Sequence, residues 1–172
     1  MFGLIALLVW ANVCAYVYLR PALPDVESLR DVQLQVPLRV FTRDGRLIAS
    51  IGEQRRIPVR YDQVPKSLIE AFLAAEDDRF FSHHGLDMQG FARAALANIR
   101  SGELRQGGGT ITMQVARNMF LSPERDWRRK LKEIYLAFSI ESEFSKQDIF
   151  ALYLNKIFLG QRAYGVAAAA EV

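Results

Sequence analysis

The first nineteen residues constrain the fold of this chain more than any other feature, because they contain no charged side chain. A helix over residues 1–19 would be roughly 28 Å long at about 1.5 Å per residue, close to the thickness of a bilayer core. Arg20 and Pro21 end the apolar run. A cleaved signal peptide is the alternative, but no basic residue precedes the run and no Ala-x-Ala site follows it. We therefore predict an uncleaved, single transmembrane anchor over residues 1–19.

Beyond the apolar run, the sequence predicts a short β-hairpin. Residues 20–37 contain prolines without a hydrophobic period, and we interpret them as a linker. Residues 38–51 carry two β-prone stretches around Asp44 and Gly45, a pair typical of a two-residue hairpin turn. Residues 57–61 predict an additional edge strand, because the proline in this stretch cannot donate to a central ladder.

From residue 65 onward, the apolar spacing is that of helices separated by glycines and a proline. We predict helices over residues 65–78, 87–100, 110–120, 126–143, 146–158 and 162–172. The last of these reaches the end of the sequence without a cap, so residues 38–172 are expected to form one C-terminally incomplete domain. The predicted fold class is mainly α, with a short N-terminal β-hairpin and a single transmembrane helix.

Composition limits the chemistry of this domain to carboxylates, basic side chains and backbone groups. One cysteine excludes a disulfide framework, and two histidines leave little scope for a histidine-rich metal site. The net charge of +3 comes without a stripe of Lys and Arg set apart from acidic residues. We therefore expect no nucleic-acid partner.

Glu76 is a candidate general base. It lies four residues after Phe72 and eight after Leu68, so the three side chains share one face of the predicted helix. A carboxylate on an apolar face is partly desolvated, which raises its pKa toward the range that a general base needs. The alternative is that Glu76 ends the apolar stripe and faces water together with Asp77 and Asp78.

Two loops are ambiguous from the residues alone. His83 and His84 follow two acidic residues and could contribute to a metal site, although a loop histidine is more often structural. Residues 107–109 are glycines that lead into a predicted helix with Thr110 as its cap, an arrangement that can cradle an anion. A flexible connector is the simpler interpretation of such a glycine run.

Glu133 lies among cations on a predicted helix. Arg129 and Lys130 precede it by four and three residues, so the three side chains share a face. A solvated, salt-bridged helix face is one interpretation. The other is a basic cluster that binds a diphosphate, to which Arg117 and Arg125 would add charge.

Together, four ordered motifs resemble the glycosyltransferase domain of class A penicillin-binding proteins and of monofunctional peptidoglycan glycosyltransferases. The family motif Glu-Asp-x-x-Phe-x-x-His-x-Gly is matched by Glu76, Asp77, Phe80, His83 and Gly85. The motif Gly-Gly-Ser-Thr-Ile-Thr-Gln-Gln is matched over residues 107–114. The motif Arg-Lys-x-x-Glu is matched by Arg129, Lys130 and Glu133. A Tyr-Leu-Asn segment lies within residues 149–160, and the resemblance covers residues 38–172.

Two positions depart from the pattern of that family. Gly109 stands where the family has serine, which removes a hydroxyl near the expected donor site. Met113 replaces a glutamine, a variant similar to the 1A branch of the class A penicillin-binding proteins. Members of that branch carry a transpeptidase domain further along, but these 172 residues contain no Ser-x-x-Lys motif. We predict no transpeptidase site within them.

The resemblance implies a lysozyme-like helical glycosyltransferase that polymerises lipid II into β-1,4 glycan strands and releases undecaprenyl diphosphate. It implies that Glu76 takes the proton of the acceptor hydroxyl. It implies that Glu133 is a second catalytic group, which orients cations, holds a metal or interacts with the leaving group. The implied substrate- and diphosphate-binding residues are Thr110, Gln114, Arg117, Asn118, Arg125, Arg129 and Lys130. The implied supporting residues are Asp77, Phe80, His83 and Gly85.

The resemblance also implies partners and a location. The partners are lipid II, the growing lipid-linked glycan strand, the bilayer and other cell-wall synthesis proteins. A divalent cation, Mg²⁺ or Mn²⁺, is an optional cofactor whose protein ligands are not identified. The expected location is the bacterial inner membrane, crossed once, with the catalytic domain on the periplasmic face.

Two other classes of function stay open. One is a lytic, lysozyme-like hydrolase of finished glycan, and the other is an inactive, truncated, membrane-bound homologue. The basic cluster around Glu133 argues against hydrolysis, because cleavage of a glycoside needs no diphosphate site. Gly109 and the uncapped last helix favour the inactive homologue.

Overall fold

The structure is a computed structural model that describes residues 2–31, 37–52, 55–102, 108–123 and 126–172. Helices form most of it. The helices are α1 (Phe2–Leu19), α2 (Lys66–Glu76), α3 (Met88–Ser101), α4 (Ile111–Phe120), α5 (Trp127–Glu143), α6 (Lys146–Lys156) and α7 (Val166–Ala170). The strands are β1 (Leu38–Phe41), β2 (Leu47–Ile51), β3 (Arg55–Arg56) and β4 (Ala163–Tyr164). The predicted mainly helical class and the N-terminal hairpin are confirmed.

The hairpin pairs β1 with β2 in antiparallel register, but its turn differs from the predicted one. The Thr42 N–H donates to the Arg46 carbonyl at 2.8 Å, so three residues form the loop. The Gly45 N–H donates back to the Thr42 carbonyl at 3.0 Å, and Gly45 has a φ of +83°. A glycine in the left-handed region at the end of a three-residue loop is a common hairpin closure. The predicted two-residue turn is therefore wrong by one residue.

Side-chain caps explain why the helix starts are close to the predicted positions. The side chain of the residue before the helix accepts a backbone N–H from the first turn in three helices. These residues are Asp87 before α3, Thr110 before α4 and Ser145 before α6. Such caps are local in sequence, and the observed starts lie within one residue of the prediction.

The core lies where α4, α5 and α6 pack against one another. Phe80, Phe150 and Tyr153 form its aromatic centre, with ring centroids of Phe80 and Phe150 5.8 Å apart. The aliphatic part includes Ile111, Val115, Leu136, Ile140, Ile149 and Leu154, each at most 1% exposed. This core holds α4 between α5 and α6, and α4 is the helix that connects the two halves of the site described below.

The C-terminal region corrects two predictions. The helix predicted over residues 162–172 is wrong, because strand β4 occupies its first part and α7 begins only at Val166. Gly165 separates them with a φ of +89°, and a Cβ there would lie 3.1 Å from backbone oxygens of α6. The edge strand predicted over residues 57–61 is also wrong. The strand is β3, which pairs in parallel with β4.

The N-terminal part packs against α5. The predicted anchor forms α1, and the Tyr135 hydroxyl donates to the Asn12 carbonyl at 3.2 Å. No helix among the residues with a described structure is long and apolar enough to cross a membrane. Within the predicted linker, Val26 and Leu29 belong to a 3₁₀ helix and are buried in the core. Residues 32–36 of that linker lie outside the described residues.

Candidate functional site

Glu76 ends helix α2, and its side chain is exposed. Its Oε2 atom accepts a hydrogen bond from Gln114 Nε2 at 2.8 Å. The prediction that an apolar helix face desolvates Glu76 is wrong, because the helix stops here and the next residue, Asp77, turns inward instead. The water-facing alternative holds for Glu76 and Asp78 but not for Asp77. The carboxylate is held by one amide and keeps its other oxygen accessible.

Asp77 is the buried member of the adjacent pair of acids. Its side chain is 3% exposed and accepts from His83 Nε2 at 3.0 Å and from the Ile111 backbone N–H at 3.1 Å. His83 packs edge-to-face on the fully buried ring of Phe80. These contacts tie the end of α2 to the start of α4. The supporting role of Asp77, Phe80 and His83 stays a prediction.

Gly85 and Thr110 join the loop after His83 to helix α4. The Thr110 hydroxyl donates to the Gly85 carbonyl at 2.7 Å, and its oxygen accepts the Met113 N–H at 3.3 Å. Gly85 has a φ of +62°, and a Cβ there would lie 3.0 Å from the Phe138 ring. Only glycine fits without strain. Thr110 is 2% exposed, caps α4 and also lines the cavity described below, and its contact with substrate stays a prediction.

Glu133 lies on the buried face of α5 and is 1% exposed. It forms an ion pair with Arg129 NH1, and its Oε2 lies 3.2 Å from Lys130 Nζ. The solvated interpretation of this helix face is therefore wrong. The side chains of Trp127 and Phe138, also on α5, are exposed. The buried face of α5 instead carries Glu133, Leu136, Ala137, Ile140 and Glu141.

A cavity lined by cationic side chains lies at the far end of α4. Arg117 and Asn118 line a cavity of about 490 Å³ together with Arg129. Three and four residues separate Gln114 from Arg117 and Asn118, so these side chains share one face of α4. That face therefore links Glu76 at one end to the cation-lined cavity at the other. Arg125, also predicted to bind diphosphate, lies outside the described residues.

Glu76 opens into a cavity of about 510 Å³ that reaches the neighbourhood of Lys130. The cavity is also lined by Phe91, Gly108 and Gly109. A Cβ placed on Gly109 would lie 3.6 Å from Lys130 Nζ, an ordinary contact distance. The folded chain thus brings the first, second and third motifs to one region. It also leaves room at residue 109 for the serine typical of the family.

Tyr153 was not predicted as a site residue, although its segment was recognised. It is 1% exposed, and its hydroxyl has no hydrogen-bond partner among the described residues. Burial raises the pKa of Tyr153 above its usual range, the charge of Glu76 raises the pKa further, and Arg117 lowers it. The phenol therefore lies in the electrostatic range of both groups. Its position on the buried face of α6 was the sequence feature that could have identified it.

Asn155, in the same segment, has a structural role. Its side chain accepts the Val59 N–H at 2.8 Å and donates to the Val59 carbonyl at 2.7 Å. The amide thereby satisfies both backbone groups of one residue in an otherwise irregular stretch. The fourth motif thus contains Tyr153, which is in electrostatic range of Glu76 and Arg117, and Asn155, which has a structural role.

Glu141 is the other residue that the sequence analysis missed. Its side chain is 2% exposed and forms an ion pair with Lys146 Nζ at 2.8 Å. It occurs eight residues after Glu133 in a helix whose buried positions recur every three or four residues. An acid at such a position was a detectable signal of a buried, paired carboxylate.

Within the part of the chain that the structure describes, no three His, Cys, Asp or Glu side chains are grouped in a way that could hold a metal ion. The His83–His84 metal site considered from sequence is therefore not supported, since His83 is paired with Asp77. His84 lies instead 3.1 Å from Glu141. Among the residues that the structure places, the site offers cationic side chains rather than a preformed set of metal ligands.

The arrangement suits proton abstraction coupled to the departure of an anion. An exposed carboxylate with one oxygen available can take a proton from a bound hydroxyl. Guanidinium and ammonium groups can stabilise the negative charge that develops on a phosphate leaving group. The buried Glu133 keeps two of these cations oriented, because each contacts one of its oxygens.

Comparisons with known proteins point to one family. The family model described as Transglycosylase matches residues 44–172. The chain is 55% identical over 157 residues to penicillin-binding protein 1A of Escherichia coli, covering 91% of this chain and 18% of that protein. It is 56% identical over 156 residues to penicillin-binding protein 1A of Vibrio cholerae, covering 91% and 19%. With the protein of the same name from Neisseria lactamica, it is 45% identical over 172 residues, covering 100% and 22%. The chain thus spans about a fifth of the length of these relatives.

Proposed function

Because this chain belongs to the transglycosylase family, we propose that it is a peptidoglycan glycosyltransferase of the penicillin-binding protein 1A type. In the proposed reaction, the 4-hydroxyl of an acceptor lipid II attacks C1 of a lipid-linked glycan strand. The new β-1,4 bond forms as the bond to the diphosphate breaks, and undecaprenyl diphosphate leaves. The observation that carries the proposal is the single face of α4, which joins an exposed carboxylate to a cation-lined cavity.

Glu76 is the proposed base. Gln114 occupies its Oε2 atom, so Oε1 is the oxygen that would accept the proton of the attacking hydroxyl. Because the side chain is exposed in the free protein, a water-poor environment would arise only when lipid II closes the cavity over it. Gln114 would then orient the carboxylate during the transfer.

The proposed diphosphate site consists of Arg117, Asn118, Arg129 and Lys130. Charge-assisted hydrogen bonds from guanidinium groups suit phosphate oxygens, and Arg117 and Arg129 line the same cavity. Glu133 would hold Arg129 and Lys130 in place rather than take part in proton transfer. Arg125 is a further candidate on sequence grounds. A divalent cation would be recruited by the diphosphate oxygens themselves, and we assign it no step.

We also propose that the domain works at the outer face of the bacterial inner membrane. Both substrates are lipid-linked in the proposed reaction. The exposed apolar side chains of α1, which include Leu7, Trp10 and Val17, are suited to contact with lipid. A lysozyme-like arrangement is proposed for residues 38–172 on the basis of their helical content. Other cell-wall synthesis proteins are proposed partners from the family resemblance alone.

A polymerisation assay with labelled lipid II tests this function. We expect the wild type to form glycan strands and Glu76→Gln to be slower by a factor of about 100 or more, because general base catalysis contributes roughly that much. The matched control is Glu70→Gln, which changes an exposed acid on the same helix that is paired with Lys66. The control is expected to polymerise at the wild-type rate.

The assay also separates the alternatives. Release of fragments from finished glycan, without growth of strands, would replace the transferase with a lytic enzyme. Equal rates for wild type and Glu76→Gln would remove Glu76 from the base role. An inactive wild type that still folds would support the inactive homologue.

A further inference from the structure

Glu141 forms a buried polar cluster that the proposed chemistry does not use. One oxygen of its carboxylate accepts from the Thr112 hydroxyl and lies 2.8 Å from Lys146 Nζ. The other oxygen lies 3.1 Å from His84 Nδ1, and the backbone N–H of Gly85 also donates to this carboxylate. One side chain of α5 thus holds α4, the start of α6 and the loop that contains Gly85.

The burial of this ion pair needs a reason other than stability. Lys146 and Glu141 are 20% and 2% exposed, so both charges have lost most of their water. Replacing a buried ion pair with packed apolar side chains is often neutral or stabilising. Directional hydrogen bonds, in contrast, specify one arrangement of the groups that they join. The cluster is therefore better explained by orientation than by the free energy of unfolding.

The first turn of α4 is held between two buried carboxylates. Asp77 accepts the Ile111 N–H at 3.1 Å, and Glu141 accepts the Thr112 hydroxyl. Asp77 is adjacent to Glu76, and Glu141 lies on α5, the helix that carries Glu133. Each carboxylate therefore connects α4 to the element that carries one of the two candidate catalytic glutamates.

The rotation of α4 about its axis decides whether Gln114 meets Glu76 and whether Arg117 faces the cation-lined cavity. Gln114 follows Thr112 by two residues and donates to Glu76 at 2.8 Å. Arg117 lies one turn further along and lines the cavity with Arg129. A rotation of α4 about its axis would withdraw both side chains together, because they share one face.

We infer that Glu141 is a positioning residue that, through Thr112, fixes the rotation of α4 between Glu76 and the cation-lined cavity. This inference rests on the proposed function for its effect on rate. It adds to that function a residue outside the four motifs. Glutamine at this position would leave a single acceptor oxygen for the donors of Thr112, Lys146 and Gly85, so the arrangement could not be kept.

The test compares Glu141→Gln, Thr112→Val and the double variant in the 172-residue chain with lipid II as substrate. Rates are measured at a temperature where circular dichroism shows every variant fully folded. We expect each single variant to lower kcat by about tenfold or more, since small misplacements of reacting groups are costly, with KM within about twofold. The double variant should lose no more than the slower single variant, because both changes break the same link.

The matched control is Glu143→Gln, which changes an exposed acid on the same helix that is paired with Arg30 at 3.5 Å. Its kcat should equal that of the wild type. If fully folded Glu141→Gln and Thr112→Val also keep the wild-type kcat, the cluster is only structural and the inference is overturned. Thr112→Val covers the case in which Glu141→Gln does not fold, since it leaves the pair of Glu141 and Lys146 intact.

Amide hydrogen exchange tests the inference independently of the proposed function. In Glu141→Gln, the amides of Gly85 and Ile111 should exchange about tenfold faster than in Glu143→Gln, because the first turn of α4 is no longer held. If the wild type forms no glycan but these amides respond, the proposed function fails and the positioning role of Glu141 stands. Unchanged exchange at both amides would overturn the inference.

Discussion

The two candidate catalytic glutamates occupy opposite environments. Glu76 is exposed at the end of α2 and has one neutral amide donor, Gln114. Glu133 is 1% exposed within α5 and contacts two cations, Arg129 and Lys130. The same side-chain type is therefore accessible to a substrate proton in one region and enclosed by positive charge in the other.

This difference indicates a division of labour. A group that exchanges protons with substrate must be reachable, and Glu76 is. A carboxylate that is enclosed with two cations acts through those cations, because it determines where their donors point. Four measurements test whether the two glutamates divide the work in this way.

The largest expected effect is on stability when Glu133 is removed. Glu133→Ala leaves Arg129 and Lys130 without their buried partner, which should lower the free energy of unfolding by about 3–5 kcal/mol. Glu76→Ala should change it by less than about 0.5 kcal/mol, since the side chain is exposed. Urea denaturation of both variants measures the difference. Similar losses of unfolding free energy in the two variants would show that the difference in exposure does not make the two glutamates differ in stability.

The next effect separates two neighbouring acids beside Glu76. Asp77→Ala removes the acceptor for His83 and for the Ile111 N–H, which should cost roughly 2 kcal/mol of unfolding free energy. Asp78→Ala is the control, because that side chain is 53% exposed and is paired with Arg93 at 3.5 Å. Its loss should stay below about 0.5 kcal/mol. Thermal or urea unfolding that ranks the two equally would contradict the assigned burial.

A smaller effect should follow from releasing Glu76. Gln114→Leu removes the only hydrogen bond described for that carboxylate and should lower kcat by about tenfold, or about 1.4 kcal/mol of activation free energy. Stability should be unaffected, because Gln114 is only partly buried. Lipid II polymerisation measures the rate, with Gln147→Leu on exposed α6 surface as the control. An unchanged kcat would mean that Glu76 needs no orienting partner.

A still smaller effect is expected on how the free energy of unfolding depends on pH, to which Glu141 contributes. Burial raises the pKa of Glu141, but hydrogen bonds from Lys146, Thr112 and Gly85 outweigh it and hold this pKa below 4.5. Its stabilising contribution is therefore present above pH 4.5 and lost as the pH falls through the folded-state pKa. Acid unfolding curves should be less steep for Glu141→Gln than for the wild type. Equal slopes for the two proteins would show that protonation of Glu141 does not contribute to acid unfolding.

Local features of the chain were predictable to within a residue or two. The start of α4 follows from Thr110, whose side chain caps the helix, and the start of α3 follows from Asp87 in the same way. The positive φ of Gly85 explains why this position is glycine. These features depend on short stretches of backbone, so the sequence carries them directly.

Burial was the property that the sequence analysis misjudged. Periodicity placed Glu76 on an apolar face, but this residue is exposed. It also overlooked Glu141, whose partners come from α4, α6 and a loop more than fifty residues earlier. A helical period defines faces, but it does not identify which face another element will cover.

Most helices, the Thr110 cap and the four motifs that identify the family could be read from the chain, because each depends on residues close together in it. The last helix could not, because β4 and α7 replace it. Tertiary structure alone decided which glutamate is accessible and which is enclosed, and it brought Lys130 beside Gly109. The physical reason is that solvent exposure and ion pairing arise from packing between distant elements. Here that packing places α4 between α5 and α6, and α4 connects the exposed carboxylate to the buried charge.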